Sequence, residues 1–155
     1  APSLAGLRVL VAEDNSINQL LATMQLEELQ CIATTVDNGK EALDWLEKER
    51  FDIILMDCQM PLMDGYETTR RIRASEAEGQ HIPIIAVTAN AMEDERDAAL
   101  ASGMDDFLTK PYSHAALQET LLRLARPRAV ATQSGGGGAS APSQSDALRR
   151  NREAP

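Results

Sequence analysis

Short apolar runs alternate along the chain with segments of helical periodicity. The runs are Leu7–Ala12, Ile32–Val36, Ile53–Met56, Ile84–Val87 and Phe107–Thr109. The first, third and fourth are nearly continuous in Val, Ile and Leu, as strands buried on both faces of a parallel sheet are. The second and fifth are weaker and more polar. Five helices are predicted between and after them. The first carries Ile17, Leu20, Leu21 and Met24 at i, i+3, i+4, i+7, with Ser16 and Gln19 as a capping box. The second covers Gly39–Lys48, with Asn38 and Glu41 as a similar cap pair, and the third runs from about Tyr66 to Ala77. The fourth, Met92–Ala101, is Ala-rich with a thin apolar stripe and is expected to pack most loosely. The fifth starts after Ser113 and places Leu117, Leu121 and Leu124 on one side.

Five successive βα units imply an α/β fold: a parallel five-stranded sheet with helices on both faces and right-handed crossovers. The flavodoxin-like (βα)5 strand order 2-1-3-4-5 is the expected topology. After Arg126 the character changes to Pro, Ser, Gln and Ala with four consecutive glycines, Gly135–Gly138. Residues 126–155 therefore read as a flexible tail or linker, with at most a helical turn at Ala147–Arg152.

Aromatics are only 3% of the 155 residues, so the core must be aliphatic. Residues 1–125 hold 10 Lys and Arg against 22 Asp and Glu. Such an acidic globule repels a phosphate backbone, which argues against nucleic-acid binding by this part. Cys31 and Cys58 lie in or beside apolar runs and read as buried thiols of a reducing compartment. With His81 and His114 they make no zinc-like spacing. No apolar run approaches a membrane span, and no basic-then-apolar signal peptide opens the chain, so a cytoplasmic location without membrane contact is expected. The first residue is Ala rather than Met, which fits a processed chain or a piece of a longer polypeptide.

In an open α/β sheet, ligands sit beyond the carboxyl ends of the strands where strand order reverses. Glu13 and Asp14 follow the first strand, Asp57 the third, Thr88 the fourth, and Lys110-Pro111 the fifth. Three carboxylates, one hydroxyl and one ammonium should therefore meet in one crevice. Taken singly, Asp14 reads as a helix cap, Thr88 as an ordinary strand end and Lys110 as a solvated lysine. The joint pattern is what points to chemistry. Clustered acids favour a divalent cation, and hard oxygen ligands suit Mg²⁺. Asp57 can then act as a nucleophile toward phosphorus, forming an acyl phosphate. Lys110 and Thr88 would supply donors to the equatorial oxygens.

These residues at these places resemble the receiver domain of two-component response regulators. The resemblance covers about residues 6–125. It is carried by Val9-Leu10-Val11-Ala12-Glu13-Asp14-Asn15, Ile53-Ile54-Leu55-Met56-Asp57, Met60-Pro61-Leu62-Met63-Asp64-Gly65, Ala86-Val87-Thr88-Ala89 and Lys110-Pro111. It implies that Asp57 is the phosphoacceptor and that Glu13, Asp14, Asp57 and the backbone carbonyl of Gln59 hold Mg²⁺. Thr88 and Lys110 would sense the phosphoryl group. Phe107 takes the aromatic switch position, where the family more often has Tyr; its alternative is a plain core residue. The Lys110–Pro111 bond is expected to be cis. The implied partner is a histidine kinase or a histidine phosphotransfer domain. The Glu-Asp-Asn-x-x-Asn and Met-Pro-Leu-Met-Asp-Gly texture looks most like receivers of hybrid sensor histidine kinases, with a stand-alone response regulator as the alternative.

Three rival readings remain. A Mg²⁺-dependent phosphatase using an aspartyl phosphate would carry an Asp where Gln59 stands. A flavodoxin-like FMN carrier would need a hydroxyl- and glycine-rich loop after the first strand, where this chain has acids. A docking scaffold without phosphorylation has no need of the intact acidic set. No kinase catalytic core or DNA-binding domain is legible in these residues, and the oligomeric state is open. Arg70, Arg71 and Arg73 on the third helix could attract a partner, although a solvated face explains them more simply. Gln59 and Asn90 flank the site and are expected to influence the lifetime of the phosphoryl group.

Overall fold

The computed structural model describes residues 4–89 and 92–133, with side chains up to Ala125. Asn90, the glycine run and the segment Ala147–Arg152 lie outside the described residues. The elements are β1 Arg8–Ala12, α1 Ser16–Glu28, β2 Ile32–Val36, α2 Gly39–Lys48, β3 Ile53–Asp57, α3 Gly65–Ser75, β4 Ile84–Thr88, α4 Glu93–Ser102, β5 Asp106–Thr109 and α5 His114–Gln133. The five strands form one parallel sheet in the order β2-β1-β3-β4-β5, as the alternation predicts.

The two polar runs are the two edges of that sheet. β3 and β4 are buried at every position, whereas edge strand β2 exposes Ile32 and Thr35. An edge strand has a neighbour on one side only, so its side chains are covered less. Strand residues alternate between two cores. Val9, Val11, Ile53, Leu55, Ile85 and Val87 pack with Ala22 and Leu26 of α1 and Leu117 and Leu121 of α5. Leu10, Ala12, Ile54, Met56, Ile84 and Ala86 pack with Ala42 of α2, Ile72 of α3 and Ala99 of α4.

The helices depart from the sequence reading in three places. The stripe expected to bury α1 is exposed: Ile17, Leu20, Leu21 and Met24 are all more than half accessible. The buried row of α1 is Ala22 and Leu26, one turn apart. Continued toward the N-terminus, that row begins with Gln19, a polar residue that hides it in the sequence. The cap of α1 is Asn15 rather than Ser16. The Asn15 side chain accepts from the N–H groups of Ile17 and Asn18. Gln19 does not close a capping box; its amide donates to the carbonyls of Glu13 and Val36 and to Asp37. Finally, α5 continues beyond Arg126 to Gln133.

Asn38 does cap α2, accepting from the N–H of Glu41, while the Glu41 carboxylate accepts from Asp37 N–H rather than from Asn38. Helix α4 buries only Ala99 and Ser102 and has no side-chain cap at its start, in keeping with its thin stripe. Arg70 and Arg71 both pair with Glu67 of α3 on the surface, while Arg73 turns inward. Among the described residues no helix is long and apolar enough to cross a membrane.

Candidate functional site

The carboxyl ends of β1, β3, β4 and β5 share one edge of the sheet. Register fixes this: Ala12 lies opposite Met56, Asp57 opposite Val87, and Thr88 opposite Thr109. The residues that leave these ends are therefore brought together by strand pairing alone. Chain continuity then places Glu13 and Asp14 beside Asp57, and Lys110 beside Thr88. The Lys110 N–H donates to the Thr88 carbonyl at 2.7 Å, extending the ladder past the last strand residue.

Asp57 is 6% exposed and Glu13 5%. The Asp57 carboxylate accepts from the Gln59 N–H at 3.0 Å and, on its other oxygen, from Lys110 Nζ at 3.3 Å. Lys110 Nζ also donates to Glu13 Oε1 at 2.7 Å. The second oxygen of Glu13 accepts from the Asn15 N–H at 3.1 Å and lies 3.5 Å from the Asn18 amide. Asp14 is exposed, yet Glu13, Asp14 and Asp57 each present an oxygen within 4.8 Å of the others.

One ammonium among three carboxylates leaves the site short of positive charge, and burial makes that shortage costly. Burial is the largest influence on Asp57. It pushes the carboxyl up to about 6, helped by nearby Glu13 and opposed by the Gln59 N–H and Lys110. Burial would raise Glu13 as well, but Lys110 and the Asn15 N–H outweigh it and hold Glu13 below its ordinary value. Burial would lower Lys110, but Glu13 and Asp57 together hold it above its ordinary value. An acid that resists ionisation beside two others, all hard oxygen donors, is a set that a small divalent cation would satisfy. The residues present fit Mg²⁺ on that ground.

Thr88 is buried at the end of β4. Phe107 is half-buried on the face packed by α2, α3 and α4, and the Arg96 guanidinium of α4 stands 5.6 Å from its ring centroid. It is therefore neither a fully enclosed core residue nor an exposed one. The Lys110–Pro111 peptide is cis, as expected.

The roles of three supporting residues escaped the sequence reading. Asn15, the cap residue before α1, and Asn18 within it hold Glu13, and Gln19 ties the β1–α1 loop to the β2–α2 loop. The signal for Asn15 was present, since Asn just before a helix is among the strongest N-caps. Gln19 carried no such signal, because its partners come from two different loops. A fourth is Gly65 at the start of α3. A Cβ there would lie 2.3 Å from the main-chain oxygen of Asp57, so only glycine lets α3 approach the end of β3 this closely.

The model of the response regulator receiver domain family matches residues 9–122. The sensor histidine kinase GacS of Pseudomonas protegens is 47% identical over 118 residues, 75% of this chain and 13% of that protein. Histidine kinase 1 of Arabidopsis thaliana is 38% identical over an alignment of 164 residues, 84% of this chain and 14% of that protein. The chain thus spans a small fraction of the length of these kinases. Among solved structures, the receiver domain of the sensor histidine kinase PA1611 from Pseudomonas aeruginosa superposes with a TM-score of 0.73 at 44% identity. The match covers 79% of this chain and 99% of that one, whose active site cleft coordinates a magnesium ion. A chain of the Saccharomyces cerevisiae complex between the histidine phosphotransfer protein Ypd1 and the receiver domain of Ssk1 gives 0.74 at 28% identity, over 81% of this chain and 93% of that one. Strand order, cleft and similarity converge: the chain belongs to the response regulator receiver domain family.

Proposed function

We propose that residues 6–125 act as the phosphoacceptor of a phosphorelay, within a hybrid sensor histidine kinase, and that Asp57 takes the phosphoryl group from a phosphohistidine. The observation that carries this reading is the buried Asp57 carboxylate at the end of a central strand, 3.3 Å from Lys110 Nζ and within 4.8 Å of two other carboxylates. Glu13, Asp14, Asp57 and the Gln59 carbonyl would hold Mg²⁺. When bound, the ion lets neighbouring carboxylates stay ionised and offsets the charge of the phosphoryl group.

An Asp57 oxygen attacks phosphorus while the phosphorus–nitrogen bond to the donor imidazole breaks. The bond electrons leave on the imidazole nitrogen, and an acyl phosphate remains. Lys110, already bridging Asp57 and Glu13, needs only a small displacement to donate to a phosphoryl oxygen. Thr88 Oγ1 supplies a second donor from the neighbouring strand. The Gln59 N–H holds one Asp57 oxygen, and Lys110 Nζ reaches the other.

A donor must come close, because a histidine side chain is short. The exposed apolar residues of α1, Ile17, Leu20, Leu21 and Met24, offer an apolar lip on the helix that follows Glu13 and Asp14. Beneath them a cavity of about 280 Å³ runs between α1 and the Lys110–Tyr112 turn, lined by Leu21, Ala22 and Tyr112 and ending at Glu13. A helical phosphotransfer partner with an apolar face would cover this lip, a contact of the helix-in-groove kind.

Intact-protein mass after incubation with acetyl phosphate and Mg²⁺ tests the reading. One phosphoryl adduct on the wild type, absent without Mg²⁺ and absent in Asp57→Asn, is the expected result. A folded wild-type protein that takes no adduct would overturn it.

A further inference from the structure

Strands β1 and β2 end together, with Ala12 opposite Val36. One more main-chain bond follows, from the Glu13 N–H to the Val36 carbonyl at 3.0 Å. In a continuing parallel ladder the Glu13 carbonyl would then accept from the chain that follows β2. It accepts from a side chain instead. The Gln19 amide donates to the Glu13 carbonyl at 2.6 Å, to the Val36 carbonyl at 3.2 Å and to the Asp37 carboxylate at 2.7 Å. Three acceptors around one atom identify it as the NH₂ group, since an amide oxygen there would face three other oxygens. Both ends of this bridge are anchored. The Gln19 N–H donates to the Asn15 carbonyl at 2.9 Å within α1, and the Asp37 N–H donates to the Glu41 carboxylate of α2 at 3.1 Å.

The carbonyl that Gln19 grips belongs to the peptide joining Glu13 to Asp14. A peptide unit is planar, so a held carbonyl sets the plane from which Asp14 departs. The two acids differ in how much they need this. The Glu13 carboxylate is buried and is gripped directly by Lys110, the Asn15 N–H and Asn18. Asp14 is exposed, at the bend between β1 and α1. An exposed carboxylate takes its direction from its main chain rather than from packing. Yet an Asp14 oxygen lies within 4.8 Å of oxygens of Glu13 and Asp57. Mg²⁺ demands near-ideal octahedral geometry, so the direction of each ligand matters to it.

We infer that Gln19 is a positioning residue of the Mg²⁺ site: it sets the Glu13–Asp14 peptide so that the exposed carboxylate meets the two buried ones. This rests on the reading of Glu13, Asp14 and Asp57 as the acids that hold the ion. Groups that orient metal ligands from behind change metal affinity although they never touch the metal. A clamp that only closed the edge of the sheet would make the same hydrogen bonds and leave the metal affinity of the folded protein unchanged.

Two variants separate these roles. Gln19→Met keeps the length and helix propensity of the side chain and removes the donor. Gln19→Glu keeps the shape, turns an acceptor toward three oxygens and adds a negative charge. Charge alone would tighten Mg²⁺ binding, whereas loss of positioning weakens it. Mg²⁺ titration of the unphosphorylated proteins at pH 8, followed by backbone amide resonances, reads the affinity. Kd should rise about tenfold in both variants, with the resonances of residues 82–85, at the opposite end of the sheet, unmoved. A Kd for Gln19→Met within about twofold of wild type, below the usual effect of such partners, would overturn the inference. So would a Gln19→Glu protein that binds Mg²⁺ as tightly as wild type or more so. A wild type that binds no Mg²⁺, or an Asp14→Asn protein that binds it equally well, would instead remove the metal-ligand reading on which the inference stands.

Discussion

At the scale of single residues, the site stores unfavourable electrostatics in one group. The Asp57 carboxyl titrates at about 6 in the fold, against 3.8 for an unhindered Asp. The folded state therefore holds this proton more tightly than the unfolded chain. Stability from Asp57 falls as pH rises from about 4 to about 6 and is constant above that. Glu13 runs the other way, held below its ordinary value, and its stabilising share is lost only in more acid solution. Lys110 contributes stability that disappears only above its ordinary range. Removing the Asp57 charge should consequently stabilise the metal-free protein at pH 7. For Asp57→Asn the gain is on the order of 2–3 kcal/mol, from the free energy per pKa unit. Urea unfolding at pH 4, 5, 6 and 7 measures it. A wild-type stability flat from 4 to 6, or a mutant weaker at pH 7, would contradict the assignment. A second residue prediction concerns Gly65. Gly65→Ala forces a Cβ against main-chain atoms of Asp57 and Cys58, which cannot swing aside as a side chain could. It should cost about 1–3 kcal/mol, in the range of core overpacking, and slow acetyl phosphate labelling of Asp57. Unchanged labelling would mean the loop relaxes without moving the acceptor.

At the scale of elements, the far end of the molecule is braced while the site end is left light. Arg73 of α3 donates to Glu76, to Asp105, and to the carbonyls of Gly103 and Ile82. Asp105 in turn accepts from Ile84 N–H and contacts His81, and Glu76 accepts from Ile82 N–H. One guanidinium thus fastens α3, the entry to β4 and the turn from α4 to β5. Arg73→Met would keep much of the stem's packing and remove the charged donor from two carboxylates, which keep their main-chain donors, and from two carbonyls. A loss of about 2–4 kcal/mol in urea unfolding is expected, as for breaking a partly buried charge network. A loss below 0.5 kcal/mol would show the brace to be dispensable. The start of α4 is held more simply, by the Tyr66 hydroxyl donating to Glu95 at 2.7 Å and by Arg96 over Phe107. Few buried residues and two polar tethers describe an element that can shift.

At the scale of the whole molecule, these differences set where a phosphoryl signal can travel. Thr88 ends β4 and Phe107 lies in the neighbouring strand, beneath the light end of α4. On the phosphoacceptor reading we propose, a phosphoryl oxygen that drew the Thr88 hydroxyl inward would leave space for the Phe107 ring to enter. The ring has no hydroxyl to offer at the surface, so the change would be one of packing and exposure, at the expense of the Arg96 contact. Binding of beryllofluoride with Mg²⁺ should therefore shift backbone amide resonances in residues 88–112 well beyond those of α2. Shifts that avoid 88–112 altogether would refute this route. Arg96→Ala should ease the change and raise beryllofluoride affinity a few-fold, measured by titration; unchanged affinity would show the contact to be neutral.

Much of this was legible in the chain as written. Apolar continuity marked three central strands, polarity marked the two edges, and the residue after each strand named the site. This works because parallel strand pairing is fixed by burial, and a residue next to a strand end has little freedom in where it goes. The sequence by itself thus determined the sheet order, the acid cluster with its lysine, and the family to which the chain belongs. Only the tertiary structure decided which way α1 faces. Its apolar stripe looked like a core contact and is instead a surface, because Ala22 and Leu26 lie on the side that meets the sheet. It also decided that Gln19 bridges two loops and that Arg73 turns inward. Each of these depends on what lies across from the residue in space, and periodicity along the chain contains no record of that.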